Sequence, residues 1–71
     1  MAFSDNLRKA RKRVHMSQAT LSGETGVSVA AISKYESGRM LPTVITAVAL
    51  AKALGVTVET LVTGKEAKND G

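Results

Sequence analysis

The chain has 71 residues, no cysteine, and a net charge of +4 that arises from ten Lys and Arg residues against six Asp and Glu. This length predicts one domain near the lower size limit for a single hydrophobic core, and the lack of cysteine excludes disulfides and thiolate metal sites. No apolar run is long enough to span a membrane and no signal peptide opens the chain, so we expect a soluble, cytoplasmic protein.

Half of the basic residues lie in one short segment, residues 8–13 (RKARKR). A basic patch of this density suits a polyanion such as a nucleic acid. The alternative is a solvated helix face, which is what most runs of charge are. The two-helix motif that follows in the chain favours the nucleic acid.

The first predicted helix covers residues 4–14. Ser4 stands at the expected N-cap position, before an acidic first turn. His15, the single histidine, follows this helix and has no cysteine or acidic cluster beside it, so we expect neither a metal site nor a catalytic role there. The apolar residues that recur at helical spacing are Phe3, Leu7, Ala10 and Val14.

The next segment predicts two short helices that meet at a tight turn. Ser17 caps a helix over 18–25, and Gly26 supplies the turn because glycine takes a positive φ without a Cβ clash. Ser28 then precedes an apolar-periodic run and caps a third helix over 28–36. This pattern is a helix-turn-helix signature. Its large apolar residues are Leu21, Val27, Ile32 and Tyr35, with the small Ser22 where the helices approach.

Two more helices are predicted after this motif. Gly38 suits a left-handed cap that ends the third helix. Thr43 precedes a fourth helix, Val44–Leu54, which is apolar around most of its circumference. Thr57 caps a short fifth helix that runs to about Val62. No segment of useful length has the period of a strand, so the sequence predicts an all-α fold.

The C-terminal segment 64–71 contains no large apolar residue, so we expect a disordered tail after one folded domain at residues 1–63. The core of that domain is expected to bury the large apolar side chains of all five helices. These are Leu7, Val14, Met16, Leu21, Val27, Ile32, Tyr35, Val44, Val48, Leu50, Leu54, Val56, Val58 and Leu61.

The segments MSQATLSGETGVSVAAISKYESGR and LAKALGVTVETLV resemble the small DNA-binding domains of the phage repressor and Cro type, the XRE family. The resemblance covers residues 3–62 in the family's helix order and spacing. It implies a compact five-helix bundle of the lambda-repressor-like type that binds double-stranded DNA sequence-specifically. It also implies a transcriptional regulator, most commonly a repressor, that binds a two-fold-related operator as a homodimer. No cofactor, metal, small-molecule ligand or membrane is expected.

The resemblance also implies three kinds of DNA contact. One residue opens the second helix and touches the DNA backbone, a group on the third helix faces or flanks base edges, and the segment after that helix meets phosphates. Apolar residues replace the long polar ones that make bidentate base contacts, so base contacts against thymine methyl groups are expected. The matching residues are Gln18; then Val29, Ala30 and Ser33 with the flanking Ser28 and Lys34; then Arg39 and Thr43.

Two further positions match a structural pair of the family. Arg11 and Glu36 fall where an ion pair joins the first helix to the end of the third. Arg11 is therefore expected to be structural and not part of the basic patch. His15 stands where glycine is common in the family.

A surface on the fourth helix predicts a two-fold dimer. Ile45 and Ala49 lie four residues apart, on a face expected to point away from the core. These positions, and those of Met40 and Leu41, are often polar or charged in the family, yet all four are apolar here. An exposed apolar strip on so small a domain favours a symmetric contact. The alternative is that these are scattered surface apolar residues, which are common.

A second function remains open on the sequence alone. The base-facing side of the third helix lacks long polar residues, and the fourth helix is apolar. Both features also fit a protein-protein interaction module that has kept the fold and lost operator binding. An enzyme finds no support, because the chain has no paired carboxylates at useful spacing, no nucleophile with a base and no glycine-rich phosphate loop.

Overall fold

The computed structural model describes residues 2–65, and these residues form five α-helices without any strand. The all-α, five-helix prediction is therefore confirmed. In the described part of the chain no helix is long and apolar enough to cross a membrane. The helices are α1 (Phe3–Arg13), α2 (Gln18–Thr25), α3 (Val29–Glu36), α4 (Val44–Leu54) and α5 (Val58–Thr63). The predicted tail, residues 64–71, lies outside the described residues apart from Gly64 and Lys65.

Helices α2 to α5 each begin at a Ser or Thr whose side-chain oxygen accepts a hydrogen bond from the backbone N–H three residues later. Such a cap satisfies one of the N–H groups that have no partner inside the helix. The predicted caps are thereby confirmed. They are Ser17, Ser28, Thr43 and Thr57.

Helix α1 begins one residue earlier than the sequence predicted. Its N-cap is Ala2, which makes no side-chain cap bond, and the Asn6 N–H donates to the Ala2 carbonyl at 3.1 Å. Ser4 therefore lies inside the first turn, and its assignment as the cap was wrong. The Ser4 side chain instead lies beside Gly38, at the end of α3.

Helices α1 and α3 end in the same way, with a left-handed residue just past the helix. After α3 this residue is Gly38, with φ of 79°, as predicted. After α1 it is His15, with φ of 58°, and the Met16 N–H reaches back to the Arg11 carbonyl at 3.1 Å. A histidine in this conformation carries a steric penalty that a glycine would not. This explains why the family often has glycine at the position of His15.

Every helix contributes at least one large, fully buried side chain to the hydrophobic core. α1 packs against α3 and α5, α2 packs against α3 and α4, and α4 packs against α5. Burying these side chains supplies most of the driving force for folding, because each helix is too short to be stable alone. The five largest fully buried side chains are Leu7, Leu21, Ile32, Leu50 and Leu61.

Three residues that we expected in the core are exposed instead: Val14, Val44 and Val48. On α4 the buried face carries Leu50, Leu54 and two alanines. The small side chains of Ala47 and Ala51 allow this face of α4 to approach α2 and α5 closely. A helix that is apolar on all sides gives no stripe from which this face can be predicted. The half-buried residues packed on the core include Met16, Val27, Val56 and Val58.

Candidate nucleic-acid interface

The turn between α2 and α3 is fixed by backbone and side-chain hydrogen bonds. Gly26 has φ of 81°, and its N–H donates to the Ser22 carbonyl at 2.8 Å. The Thr25 hydroxyl donates to the Leu21 carbonyl at 2.8 Å and accepts from the Val27 N–H at 3.1 Å. Thr25 thus closes α2 and orients the start of the turn, a role that our sequence analysis missed because many turns contain a threonine without using it.

One side of helix α3 faces the core and the opposite side faces the solvent. Ile32 and Tyr35 are buried beneath it, on the side that faces α1 and α2. The residues predicted to face base edges, Val29, Ala30 and Ser33, all lie on the exposed side, and Val29 keeps 42% of its surface accessible. The structure therefore brings these three residues to one solvent-facing side of one helix.

The residues that flank this face have different surroundings. Lys34 is exposed, in the last turn of α3. Ser28 is also exposed, and its hydroxyl oxygen accepts from the Ala31 N–H at 3.1 Å. That bond occupies an oxygen lone pair of Ser28 but leaves its O–H free to donate. Ser28 is thus a helix cap that retains one donor.

The predicted phosphate contacts lie at the ends of helices. Gln18 is the first residue of α2 and is half-buried. Arg39 is exposed in the loop after α3. Thr43 is exposed, and its side-chain oxygen accepts from the Thr46 N–H at 3.2 Å as the cap of α4. A helix start presents N–H groups with no partner in the helix, which suits an anion.

Arg11 and Glu36 form the ion pair that the family resemblance implied. Arg11 Nε donates to Glu36 Oε2 at 2.6 Å and Nη2 donates to Oε1 at 2.9 Å. Arg11 Nη1 also donates to the Met16 carbonyl at 2.8 Å. The side chain of Gln18 joins the cluster, because its Nε2 donates to Glu36 Oε1 at 3.1 Å. The resemblance implies that Gln18 can brace a side chain of the third helix, but that this side chain is Glu36, 18 positions along the sequence, was not predicted.

The surroundings of Glu36 act on its carboxylate in opposite directions. Burial alone would raise the pKa of Glu36, but hydrogen bonds from Arg11 and Gln18 and the positive charges of Arg11 and Arg8 outweigh it and hold the pKa below its ordinary value. The hydrogen bond to Glu36 raises the pKa of Arg11, although its burial acts against this. Both groups are therefore charged at neutral pH.

The basic segment 8–13 is only partly available to a ligand. Arg8 Nη2 pairs with Asp5 at 2.8 Å, and Arg8 Nη1 donates to the backbone carbonyl of Glu36 at 3.2 Å. Arg11 is committed to Glu36. Lys9, Lys12 and Arg13 are exposed to solvent.

An uncharged apolar surface, which we call the α4 surface, covers the loop before α4 and one side of that helix. Of the four residues predicted for a dimer contact, Leu41 and Ile45 are 75% and 83% exposed, Met40 is also exposed, and Ala49 is half-buried. Val44 and Val48, which we expected in the core, enlarge this surface. No charged residue occurs from position 40 to position 51. The α4 surface therefore comprises Met40, Leu41, Val44, Ile45, Val48 and Ala49.

Residues 2–65 contain no cluster of acidic and histidine side chains that could hold a metal ion. His15 is exposed, at the end of α1. The exposed side chains of the candidate interface offer hydrogen-bond donors, cations and methyl groups.

Comparison with known proteins places this geometry in a family. Residues 7–61 match the model of a helix-turn-helix family. The transcriptional repressor RstR of the cryptic phage CTXphi of Vibrio cholerae is 36% identical over 61 residues, which is 86% of this chain and 54% of that protein. The HTH-type transcriptional activator BcrR of Enterococcus faecalis is 33% identical over 93% of this chain and 32% of its own length. The chain thus spans about half the length of one relative and a third of the other.

Solved structures agree with the sequence relatives. The P22 c2 repressor in complex with synthetic operator 9T superposes with a TM-score of 0.86 at 32% identity, covering 92% of this chain and 98% of that one. The restriction-modification controller protein C.AhdI of Aeromonas hydrophila gives a TM-score of 0.80 at 27% identity, over 83% of this chain and 89% of that one. The chain therefore belongs to the helix-turn-helix family of the phage repressor and Cro type, the XRE family.

Proposed function

We propose that this chain is a transcriptional regulator that binds double-stranded DNA sequence-specifically, acts as a repressor, and inserts α3 into the major groove as part of a homodimer. The observation that carries the proposal is the exposed face of α3, with Val29, Ala30 and Ser33, beside a rigid turn. An α-helix with its side chains is about 10–12 Å across, which matches the width of the major groove of about 12 Å. The repressor RstR and the operator complex of the P22 c2 repressor support this function.

Contacts to phosphate would supply most of the affinity. Gln18 and the free N–H groups at the start of α2 would bind one phosphate region, and Arg39 and Thr43 would bind another after α3. Lys34, in the last turn of α3, would bind the DNA backbone beside the groove. The exposed Lys9, Lys12 and Arg13 add a diffuse attraction that depends on salt.

Contacts to bases would be few and largely apolar. Val29 and Ala30 offer only carbon atoms, and the group of this kind in the major groove is the thymine methyl. Ser33 is a small polar residue on the same face and can donate or accept one hydrogen bond. Part of the sequence preference would then come from the shape and flexibility of the DNA.

The α4 surface would form the dimer contact. It is apolar and free of charge, so two copies related by a two-fold axis can meet there without like-charge repulsion, which a self-complementary contact must avoid. Met40, Leu41, Ile45 and Ala49 form the proposed contact, and Val44 and Val48 extend it. Two DNA-reading helices held together in this way compensate for the few base contacts of each.

The α4 surface also favours a second candidate function, a protein-protein interaction module that does not bind an operator. A different protein could occupy the same uncharged patch. The two functions differ in their response to salt, because a DNA complex that releases counterions weakens steeply as salt rises. A module that binds only proteins would form no DNA complex to weaken.

The functional unit would be the folded domain at residues 1–63, working without a cofactor, a metal or a small-molecule ligand. It would have no enzymatic activity, because its relatives are named as regulators of transcription. Its place of action would be the cytoplasm, on the DNA of the nucleoid.

Selection of binding sites from a pool of random duplexes tests the proposal. We expect recovery of one sequence with two-fold symmetry and half-sites about 34–36 Å apart, one helical turn of DNA. Gel shifts of that duplex in increasing salt should show a steep, linear fall of log affinity with log salt concentration. Recovery of random sequences, with no salt-dependent complex, would instead support the interaction module.

A further inference from the structure

We propose that Glu36 is a positioning residue for DNA binding, and that it acts by fixing the orientation of the Gln18 side-chain amide. This inference rests on the proposed function, in which Gln18 contacts the DNA backbone. The ion pair between Glu36 and Arg11 would then contribute to DNA binding as well as joining α1 to α3. The juxtaposition that carries it is the Gln18 Nε2 to Glu36 Oε1 hydrogen bond of 3.1 Å.

The chemistry of the carboxylate decides which way the amide faces. An ionised carboxylate can only accept hydrogen bonds, so Gln18 must present its NH₂ group to Glu36. The opposite orientation would set the amide oxygen against a negatively charged oxygen. One N–H of Gln18 is thereby used, while the second N–H and the carbonyl oxygen remain for another partner.

The anchor of this amide is rigid. Glu36 is 5% exposed, and Arg11 holds both of its carboxylate oxygens, so the carboxylate cannot rotate away from Gln18. Arg11 is itself fixed by its bond to the Met16 carbonyl, in the connection that leads into α2. The start of α2 and the end of α3 are therefore tied to the same guanidinium.

The ion pair with Arg11 also prevents the Glu36 carboxylate from repelling the DNA backbone. A carboxylate beside a phosphate-binding glutamine would repel the DNA backbone if it stood alone. Here the charge of Arg11 neutralises it, and Arg8 donates to the backbone carbonyl of Glu36 at 3.2 Å. Glu36 can thus hold Gln18 without an electrostatic penalty at the phosphate.

A phosphate only accepts hydrogen bonds, so it must find the free N–H of Gln18 and not the carbonyl oxygen. An amide that is already oriented loses less conformational freedom when DNA binds. Glu36→Gln removes this restraint, because a neutral amide can offer Gln18 either a donor or an acceptor. The affinity of the folded variant for DNA should fall about three- to tenfold, the effect of having to order one flexible side chain.

The test compares wild type with three variants on the duplex recovered by site selection. Each affinity is measured at a temperature at which circular dichroism shows the variant to be folded. We expect Glu36→Gln and Gln18→Ala each to weaken binding, and the variant with both changes to bind no more weakly than Gln18→Ala alone. If Glu36→Gln does not fold, it is replaced by Arg11→Met/Glu36→Gln, which leaves no unpaired arginine and carries the same comparison.

Asn6→Ala is the control for lost stability. It removes a buried hydrogen bond to the Leu61 carbonyl and leaves the bonds among Arg11, Glu36 and Gln18 in place, so the DNA affinity of the folded variant should remain near that of wild type. A purely structural role of Glu36 predicts that folded Glu36→Gln and folded Asn6→Ala bind DNA alike. Equal affinities of wild type and folded Glu36→Gln would overturn the positioning role.

A measurement without DNA separates this inference from the proposed function. In the NMR spectrum of the free protein, one side-chain amide proton of Gln18 should exchange slowly with solvent. Rapid exchange of both protons would overturn the inference even if DNA binding is found. If the free protein shows the protected proton but wild type binds no duplex, the proposed function has failed and the role of Glu36 in DNA binding falls with it.

Discussion

Asn6 and Leu61 hold the two ends of the described chain together. The Asn6 Nδ2 atom donates a buried hydrogen bond of 2.9 Å to the backbone carbonyl of Leu61, 55 positions further along. The bond joins the first turns of α1 to the middle of α5, beside the fully buried Leu61 side chain. It is the longest connection in sequence among the side-chain hydrogen bonds described here.

Replacement of Asn6 by alanine should destabilise the fold. The change leaves the Leu61 carbonyl without its partner in a buried place, which costs about 1–3 kcal/mol. Thermal unfolding followed by circular dichroism measures the effect, and Lys9→Ala on an exposed position of the same helix serves as the control. A melting temperature of Asn6→Ala equal to that of Lys9→Ala would contradict the prediction.

The two isoleucines offer a matched test of the core. Ile32 is fully buried and Ile45 is 83% exposed, so the same change removes the same atoms from opposite environments. Ile32→Ala should lower the free energy of unfolding by about 2–5 kcal/mol, enough to unfold much of so small a domain. Ile45→Ala, measured in dilute solution where the protein is monomeric, should change it by less than about 0.5 kcal/mol. Similar losses in the two variants would show that Ile32 is not central.

The Arg11–Glu36 pair should show strong coupling. Removal of either partner leaves a buried charge uncompensated, whereas Arg11→Met/Glu36→Gln removes both charges and should destabilise less than the sum of the single changes. Chemical denaturation of all four proteins gives the coupling free energy. No coupling would mean that the pair adds nothing to the fold.

The same pair predicts a response to pH. The pKa of Glu36 is lower in the folded state than its ordinary value of 4.5, so the stabilisation is present above pH 4.5 and is lost as the pH falls through the folded pKa. Acid titration of wild type should therefore show a loss of stability that Arg11→Met/Glu36→Gln lacks. Identical acid profiles would contradict this assignment.

Arg39 and Ser33 should affect DNA binding in different ways. Arg39→Ala removes one phosphate contact, so it should weaken binding to all duplexes similarly and lower the salt slope by about one. Ser33→Ala changes the face that reads bases, so it should alter the preferred site. Site selection with both variants decides this. An unchanged site for Ser33→Ala would place Ser33 outside the groove.

The α4 surface should determine the oligomeric state. Ile45→Glu places a charge at the centre of an apolar contact, and the two-fold axis would bring two such charges together. Sedimentation at tens of micromolar should show a dimer for wild type and a monomer for Ile45→Glu. A monomeric wild type, or a variant that dimerises equally well, would rule out this interface.

Local signals predicted most of the fold because each is confined to a few residues. The hydroxyl caps and the left-handed glycines depend on the backbone within one turn, so Ser17, Thr43 and Gly26 could be assigned from the sequence. The face of α4 could not be assigned, because Val44 and Val48 are as apolar as the residues that pack. Which side is buried depends on the approach of α2 and α5, and that is a property of the whole bundle.

The candidate site could also be predicted from the sequence only in part. The exposed residues of α3 followed from the positions of Ile32 and Tyr35, because a helix with one buried face must expose the other. The Gln18–Glu36 bond could not be predicted, since both residues lie at helix ends whose separation depends on how α2 and α3 cross. The partial loss of the basic patch has a similar cause, because only packing shows that Arg8 reaches α3.

The division of α3 between core and solvent has an evolutionary consequence. The side chains of Val29, Ala30 and Ser33 take part in none of the side-chain hydrogen bonds described for the folded chain, and the core beneath them depends on Ile32 and Tyr35. Mutations at the three exposed positions can therefore change the DNA sequence that is preferred while the stability of the domain stays nearly constant. A lineage of such proteins could diverge in its targets by single substitutions, each tolerated by the same scaffold.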